Sequence, residues 1–165
     1  MTSNRRKTAF LDTIPTASID ESSDKLASKC KFNFAYFTHG DNAGQNFDEW
    51  SFDKLQKLLN KLQHFSKETL NHWTRTPIGS GKKRSSTLVV YKRFPTNSSF
   101  VHPKHVPHQA QWARFRLEHD CRLVGFILPE EYTDKPQTST QHKFCCNTFY
   151  VVFLDQAHKF YITKK

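Results

Sequence analysis

The chain has 165 residues, 36% of them hydrophobic and 24% charged, with 25 Lys and Arg against 15 Asp and Glu for a formal net charge of +10. That length suits one domain with one core, and the excess of cations directs attention to a polyanion or an acidic protein as partner. No apolar run approaches the roughly 20 residues that span a bilayer, and no apolar secretion signal opens the chain, so a soluble, cytoplasmic protein with no membrane partner is expected.

Residues 1–28 mix Ser, Thr and charges of both signs without a sustained period, which predicts a disordered tail or a segment that folds on a partner. A single domain is expected over residues 29–165. "KCKFNFAYFTH" alternates as a first strand. From Ser51 the period becomes helical: Phe52, Leu55, Leu58, Leu59, Leu62 and Phe65 share one side, Asp53, Lys54, Lys57 and Lys61 the other, with Ser51 as N-cap. A second short helix is expected to start at Ser66 and bury Leu70 and Trp73. "TRTPIGSGKKRSS" carries Gly, Ser and a proline among cations and predicts a mobile basic loop without a packed element.

"TLVVYKRF" predicts a strand, and "PTNSSFVHPKHVPHQAQ" a long loop of the kind that more often carries function than mere connection. "WARFRL" and "RLVGFIL" follow as strands joined by the turn "EHDC". After a polar loop over residues 129–147, "TFYVVFLDQAHKFYIT" reads as a hairpin turning at Asp155 to Ala157. Together these elements predict an α+β domain with an N-terminal helical pair packed on one face of a mostly antiparallel twisted sheet.

Strand alternation puts Phe115 and Leu117 on one face and Trp112, Arg114 and Arg116 on the other, pointing away from the core. In the next strand Leu123 and Ile127 join the core, and Arg122 turns toward the other arginines. Like charges opposite one another on a sheet cost stability, so three arginines need acidic neighbours or a bound anion. Glu118 and Asp120 are the nearest acids in sequence. A guanidinium fork also fits phosphate oxygens, and the Trp112 ring would offer a surface on which a base stacks.

The segments "QWARFRLEHDCRLVGFIL" and "FYVVFLDQAHKFY" resemble the C-terminal half of the RelE/YafQ/HigB superfamily of toxin ribonucleases. The matching positions are Trp112, Arg114, Arg116, Arg122, Leu123, His158 and Phe160 or Tyr161, and "HPKHVPH" resembles the His- or Lys-bearing segment before that Trp. The chain is longer than compact members, and "LDQAH" lacks the Arg-Thr-Gly that often precedes the final His. The resemblance implies metal-independent RNA cleavage: the ribose 2′-OH attacks the adjacent phosphorus and the 5′-oxygen leaves. Arg114, Arg116 and Arg122 would then hold the phosphate. His158 and one of His105 or His108 would transfer protons, and Lys104, Trp112 and Tyr161 would contact RNA. Lys82, Lys83 and Arg84 of the basic loop would add contacts to RNA or ribosome backbone, and an acidic antitoxin would cover the cationic face.

No cofactor and no metal are expected. No phosphate-binding or dinucleotide fingerprint occurs, and His102, His105 and His108 with Cys145 or Cys146 match no zinc template. Cys30, Cys121, Cys145 and Cys146 form no C-x-x-C pair and read as reduced thiols. Two other functions share the charge and the fold: a nucleic-acid-binding module without catalysis, of the sort found in mobile elements or phage defence, and a basic protein-interaction domain.

Overall fold

The computed structural model describes residues 2–20, 25–40, 43–79 and 84–162. The domain is α+β: three α-helices accompany a mostly antiparallel five-stranded sheet with one parallel pair. The strands of that sheet are β1 (Lys31–Asn33), β4 (Leu88–Lys92), β5 (Gln111–Arg116), β6 (Arg122–Ile127) and β7 (Thr148–Asp155), in the order β1-β7-β6-β5-β4. Only β1 and β7 run parallel.

The helix α2 (Phe52–Phe65) begins where a serine can cap it: the Ser51 side chain accepts the Lys54 amide hydrogen. Its inner side carries Leu58 and Phe65, while Phe52 and Leu59, assigned by period to the same side, are exposed. The helix α3 (Leu70–Arg75) buries Leu70 and Trp73 as expected, but its cap is Thr69 and not Ser66. Ser66 has helical backbone angles and closes α2 through its hydroxyl, which donates to the Leu62 carbonyl at 2.8 Å. An N-cap needs extended angles, which Thr69 has.

Several sequence expectations are corrected. Thr2–Leu11 forms the helix α1, and from Asn4 to Asp20 every residue is exposed, so this segment adds nothing to the core. The expected helical pair, α2 and α3, follows β1 and packs on one face of the sheet, with α1 added ahead of both. The first strand stops at Asn33, whose side-chain oxygen accepts the Ala35 amide and turns the chain. The basic loop is flanked by a two-stranded ladder, β2 (Pro77–Ile78) with β3 (Ser85–Ser86).

Among the described residues the expected C-terminal hairpin is absent. Beyond β7 the Asp155 carboxylate accepts the amides of Ala157, Lys159 and Phe160 at 3.2, 3.0 and 2.9 Å, which folds the chain into a compact loop with no returning strand. Phe160 then enters the core, fully buried.

Apolar clusters cover both faces of the sheet. One contains Phe65, Leu70, Trp73, Phe115, Leu123 and Phe149, with Phe65 stacked on Phe115 at 4.4 Å. The other gathers Phe100, Trp112, Val124, Phe126, Phe153 and Phe160 beneath the long loop that precedes β5. The face that carries the arginines is thus not turned away from a core; it has one of its own. Between the faces, β7 gains a bulge opposite Val124 and Gly125. A Cβ on Gly125 would lie 2.0 Å from the Tyr150 carbonyl oxygen and 2.8 Å from the Phe149 ring. Gly125→Ala is therefore expected to lower stability by about 3 kcal/mol, read as a shifted urea midpoint with an unchanged slope.

Candidate functional site

Arg116 and Arg122 face each other directly where β5 and β6 meet their turn, and Arg114 lies one alternation further along β5 on the same face. On its other side Arg122 is in register with Asp155. The end of the second apolar cluster therefore carries a group of cations, walled by Tyr91 from β4 and by the loop after β7.

Arg122 is only 5% exposed. Its Nη1 donates to the carbonyls of His119 and Cys121 at 2.6 and 2.8 Å, while its Nε, also buried, has no partner among the described residues. Burial first, then repulsion from Arg114 and Arg116, pushes this guanidinium down to about 10, with Asp120 and Asp155 opposing. Arg114 donates from Nε to the Tyr91 hydroxyl oxygen at 2.5 Å, and its Nη1 is buried without a partner among the described residues. The Tyr91 hydroxyl is held above its usual range by burial, against the pull of Arg114 and Arg122.

His158 completes the group. It sits in the Asp155-capped loop with φ of 54°, a left-handed conformation fixed by the amides on either side that bind the carboxylate. Its Nε2 is buried and unpartnered among the described residues. Burial, followed by Arg122 and Arg114, holds the imidazole below its ordinary value, which makes it neutral near pH 7 and leaves one ring nitrogen free to accept a proton.

The nearby acids do not neutralise the cluster. Glu118 pairs instead with Lys57 at 3.3 Å, and among the described residues no carboxylate lies within ion-pair distance of Arg114, Arg116 or Arg122. Asp155 is committed to backbone amides. Three nitrogens from Arg114, Arg122 and His158 thus stand buried within electrostatic reach of one another, each without a partner among the described residues. Unsatisfied buried donors are costly, and an oxyanion with several acceptor oxygens is the kind of ligand that removes that cost.

The remaining predicted residues scatter. Trp112 is 1% exposed, packed edge-on to Phe94 and stacked on Phe153, so it serves the core and offers no surface to a base. His105 bonds the Tyr36 carbonyl at 3.2 Å and contacts the Thr38 hydroxyl at 3.4 Å. Tyr36 in turn packs on Phe126, four residues along β6 from Arg122, or roughly 13 Å at the usual strand rise. His105 therefore belongs to the far end of the sheet. His108 and Lys104 are exposed on the loop that enters β5 at Gln111, the end of that strand away from Arg116. Arg84 lines a separate groove beside Arg75 and Val89, and Lys82 and Lys83 lie outside the described residues.

Tyr161 is 36% exposed and stacks on Tyr91 at 5.1 Å with an 18° tilt. Both rings line an open groove of about 620 Å³ with Arg93, Phe94 and Asn97, directly beside the cation cluster. Tyr91 was not among the residues the sequence singled out. It lies in the bulge of β4 between Val90 and Lys92, and nothing in "LVVYK" marks it as more than a strand aromatic.

Inorganic phosphate is expected to raise the pKa of His158 from its depressed value, because an adjacent anion favours imidazolium. Imidazole signals followed by NMR across pH, assigned with His158→Asn, should show that displacement; a His158 titration indifferent to phosphate would mean that these nitrogens do not form an anion cradle. Comparison with protein-family models, with curated proteins and with solved structures finds no match to this chain.

Proposed function

We propose that the chain is a RelE-like toxin that acts as a metal-independent endoribonuclease on RNA, with the cleft of Arg114, Arg116, Arg122, Tyr91 and His158 as its active site. The observation that carries this reading is the set of buried, unpartnered nitrogens on Arg114, Arg122 and His158. Two arginines suit the non-bridging oxygens of a phosphodiester, and their charge matches the extra negative charge that develops when the phosphorus becomes five-coordinate. The resemblance of the strands around Arg114 and Arg122 to RelE-like toxins gives the reading its second support.

In this scheme His158, neutral near pH 7, takes the proton from the ribose 2′-OH as its oxygen attacks phosphorus. The 5′-oxygen leaves with a proton from the Tyr91 hydroxyl, whose oxygen already accepts from Arg114 so that its own hydrogen is free to donate outward. Tyr91 takes the role that the sequence assigned to His105 or His108, both of which the fold places elsewhere. The products are a 2′,3′-cyclic phosphate and a 5′-hydroxyl. Tyr161 and the adjacent groove would receive a flanking base. The net charge of +10 suits a ribosome-associated substrate and an acidic antitoxin that covers the cleft.

Single-stranded RNA incubated with the purified chain in the presence of EDTA is expected to yield those ends, while DNA of the same sequence, lacking the 2′-OH, stays intact. His158→Ala should slow cleavage by about 10²- to 10⁴-fold, and Arg116→Ala by about 10²-fold, with circular dichroism unchanged in both. Because the base must be deprotonated, kcat/KM should rise with pH through an apparent pKa below 6.5. RNA that binds the arginine face in a salt-dependent way without being cut would replace this reading with the non-catalytic binding module.

A further inference from the structure

A buried tryptophan usually finds an acceptor for its indole N–H. Trp73 does so, donating from Nε1 to the Phe65 carbonyl at 2.8 Å. Trp50, just before the Ser51 cap of α2, does not. It is 6% exposed and its backbone amide donates to the Phe47 carbonyl at 3.3 Å, yet its Nε1 is buried without a partner among the described residues. An indole nitrogen only donates, so the missing group is an acceptor, and its absence costs free energy.

The surroundings indicate which acceptor. Trp50 lines a recess of about 30 Å³ with Lys54, Lys57, Lys61, Leu58, Leu117 and Glu118. The three lysines recur at intervals of three and four residues, so they share one side of α2 and extend over about 10 Å at the usual helical rise. Lys57 holds the acid on this wall, Glu118, at 3.3 Å. Among the described residues, Lys54 and Lys61 have no carboxylate within ion-pair distance.

Free ammonium groups around a buried, unfilled donor call for a carboxylate. The recess is too small for a nucleobase, and a phosphodiester backbone has no apolar side chain to set against Leu58 and Leu117. A polypeptide that alternates acids with apolar residues supplies both kinds of contact. We propose that this side of α2 is a docking surface for an acidic segment of a partner protein. One carboxylate of that segment accepts from Trp50 Nε1, and its neighbours pair with Lys54 and Lys61. Trp50, Leu58 and Leu117 belong to the apolar cluster on the helical face of the sheet, opposite the face that carries the arginines. The surface therefore stands apart from the cleft and does not depend on its function.

The test titrates a synthetic peptide of repeating Glu-Glu-Leu into the isotopically labelled full chain and follows the indole N–H signals by NMR, with Trp50 assigned through Trp50→Phe. The Trp50 signal is expected to move downfield as its N–H gains a charged acceptor, while that of Trp73, already bonded to the Phe65 carbonyl, stays in place. Trp50→Phe should weaken the peptide about tenfold, the size of one hydrogen bond to a charged group. Lys54→Gln combined with Lys61→Gln should weaken it about fivefold at low salt and less at high salt, with circular dichroism unchanged in every variant. No binding, an unmoved Trp50 signal, or an affinity that the folded variants retain would each overturn the proposal. An equal Trp50 shift with oligouridylate would overturn it too, and make this a nucleic-acid surface.

Discussion

The structure depends on a guanidinium that it buries. Arg122 lies at the sheet's end with 5% of its surface exposed, opposite Arg116 and beside Arg114, where both desolvation and like-charge repulsion act against it. Two backbone carbonyls from the β5–β6 turn take up one nitrogen, and Asp155 and Asp120 lend partial compensation at a distance. What is left over is a donor without a partner among the described residues. A buried cation in that condition is expensive in the free protein and favourable once an anion arrives, since the same ligand supplies the missing acceptors and relieves the repulsion. Stability sacrificed at one point of the fold is thereby available as binding energy.

Asp155 connects this point to the rest. As the last residue of β7 it is fully buried, and it organises the chain that follows by accepting the amides of Ala157, Lys159 and Phe160. That loop sets His158 against the arginines and then drives Phe160 into the second apolar cluster, where Phe160 packs near Tyr91, Phe94 and Trp112. The packing that holds Phe160 therefore also holds the imidazole. Tyr91 is fixed from the other side by Phe160, by Tyr161 and by the bond from Arg114. Tyr91 and Arg114 are thereby joined to the packing around Phe160.

The two ends of the sheet differ in chemistry. At the Asp155 end of β7 cations crowd together around missing partners; at the Thr148 end the Lys31 ammonium and the Cys145 thiol complete each other. Parallel pairing of β1 makes the second arrangement, and the antiparallel β5–β6 turn makes the first. One strand, β7, runs through both.

Amino-acid order by itself determined the α+β class, the helix begun by Ser51, the burial of Leu70 and Trp73, and the separation of Phe115 from Arg114 and Arg116 across a strand, because each follows from a local period or a local cap. It also brought Arg122 near Arg116, since a short turn between two strands fixes that register. Trp112 was misread for the same local reason: alternation tells which face a side chain takes, and cannot tell that a distant loop and Phe160 will cover that face. The tertiary structure alone decided that Tyr91 and not His105 stands beside the arginines, that an amide-capped loop and not a returning strand follows Asp155, and that Lys31 meets Cys145 across 114 residues of chain. The first and last of these are contacts between segments far apart in sequence, and no local pattern encodes which partner such a segment will find.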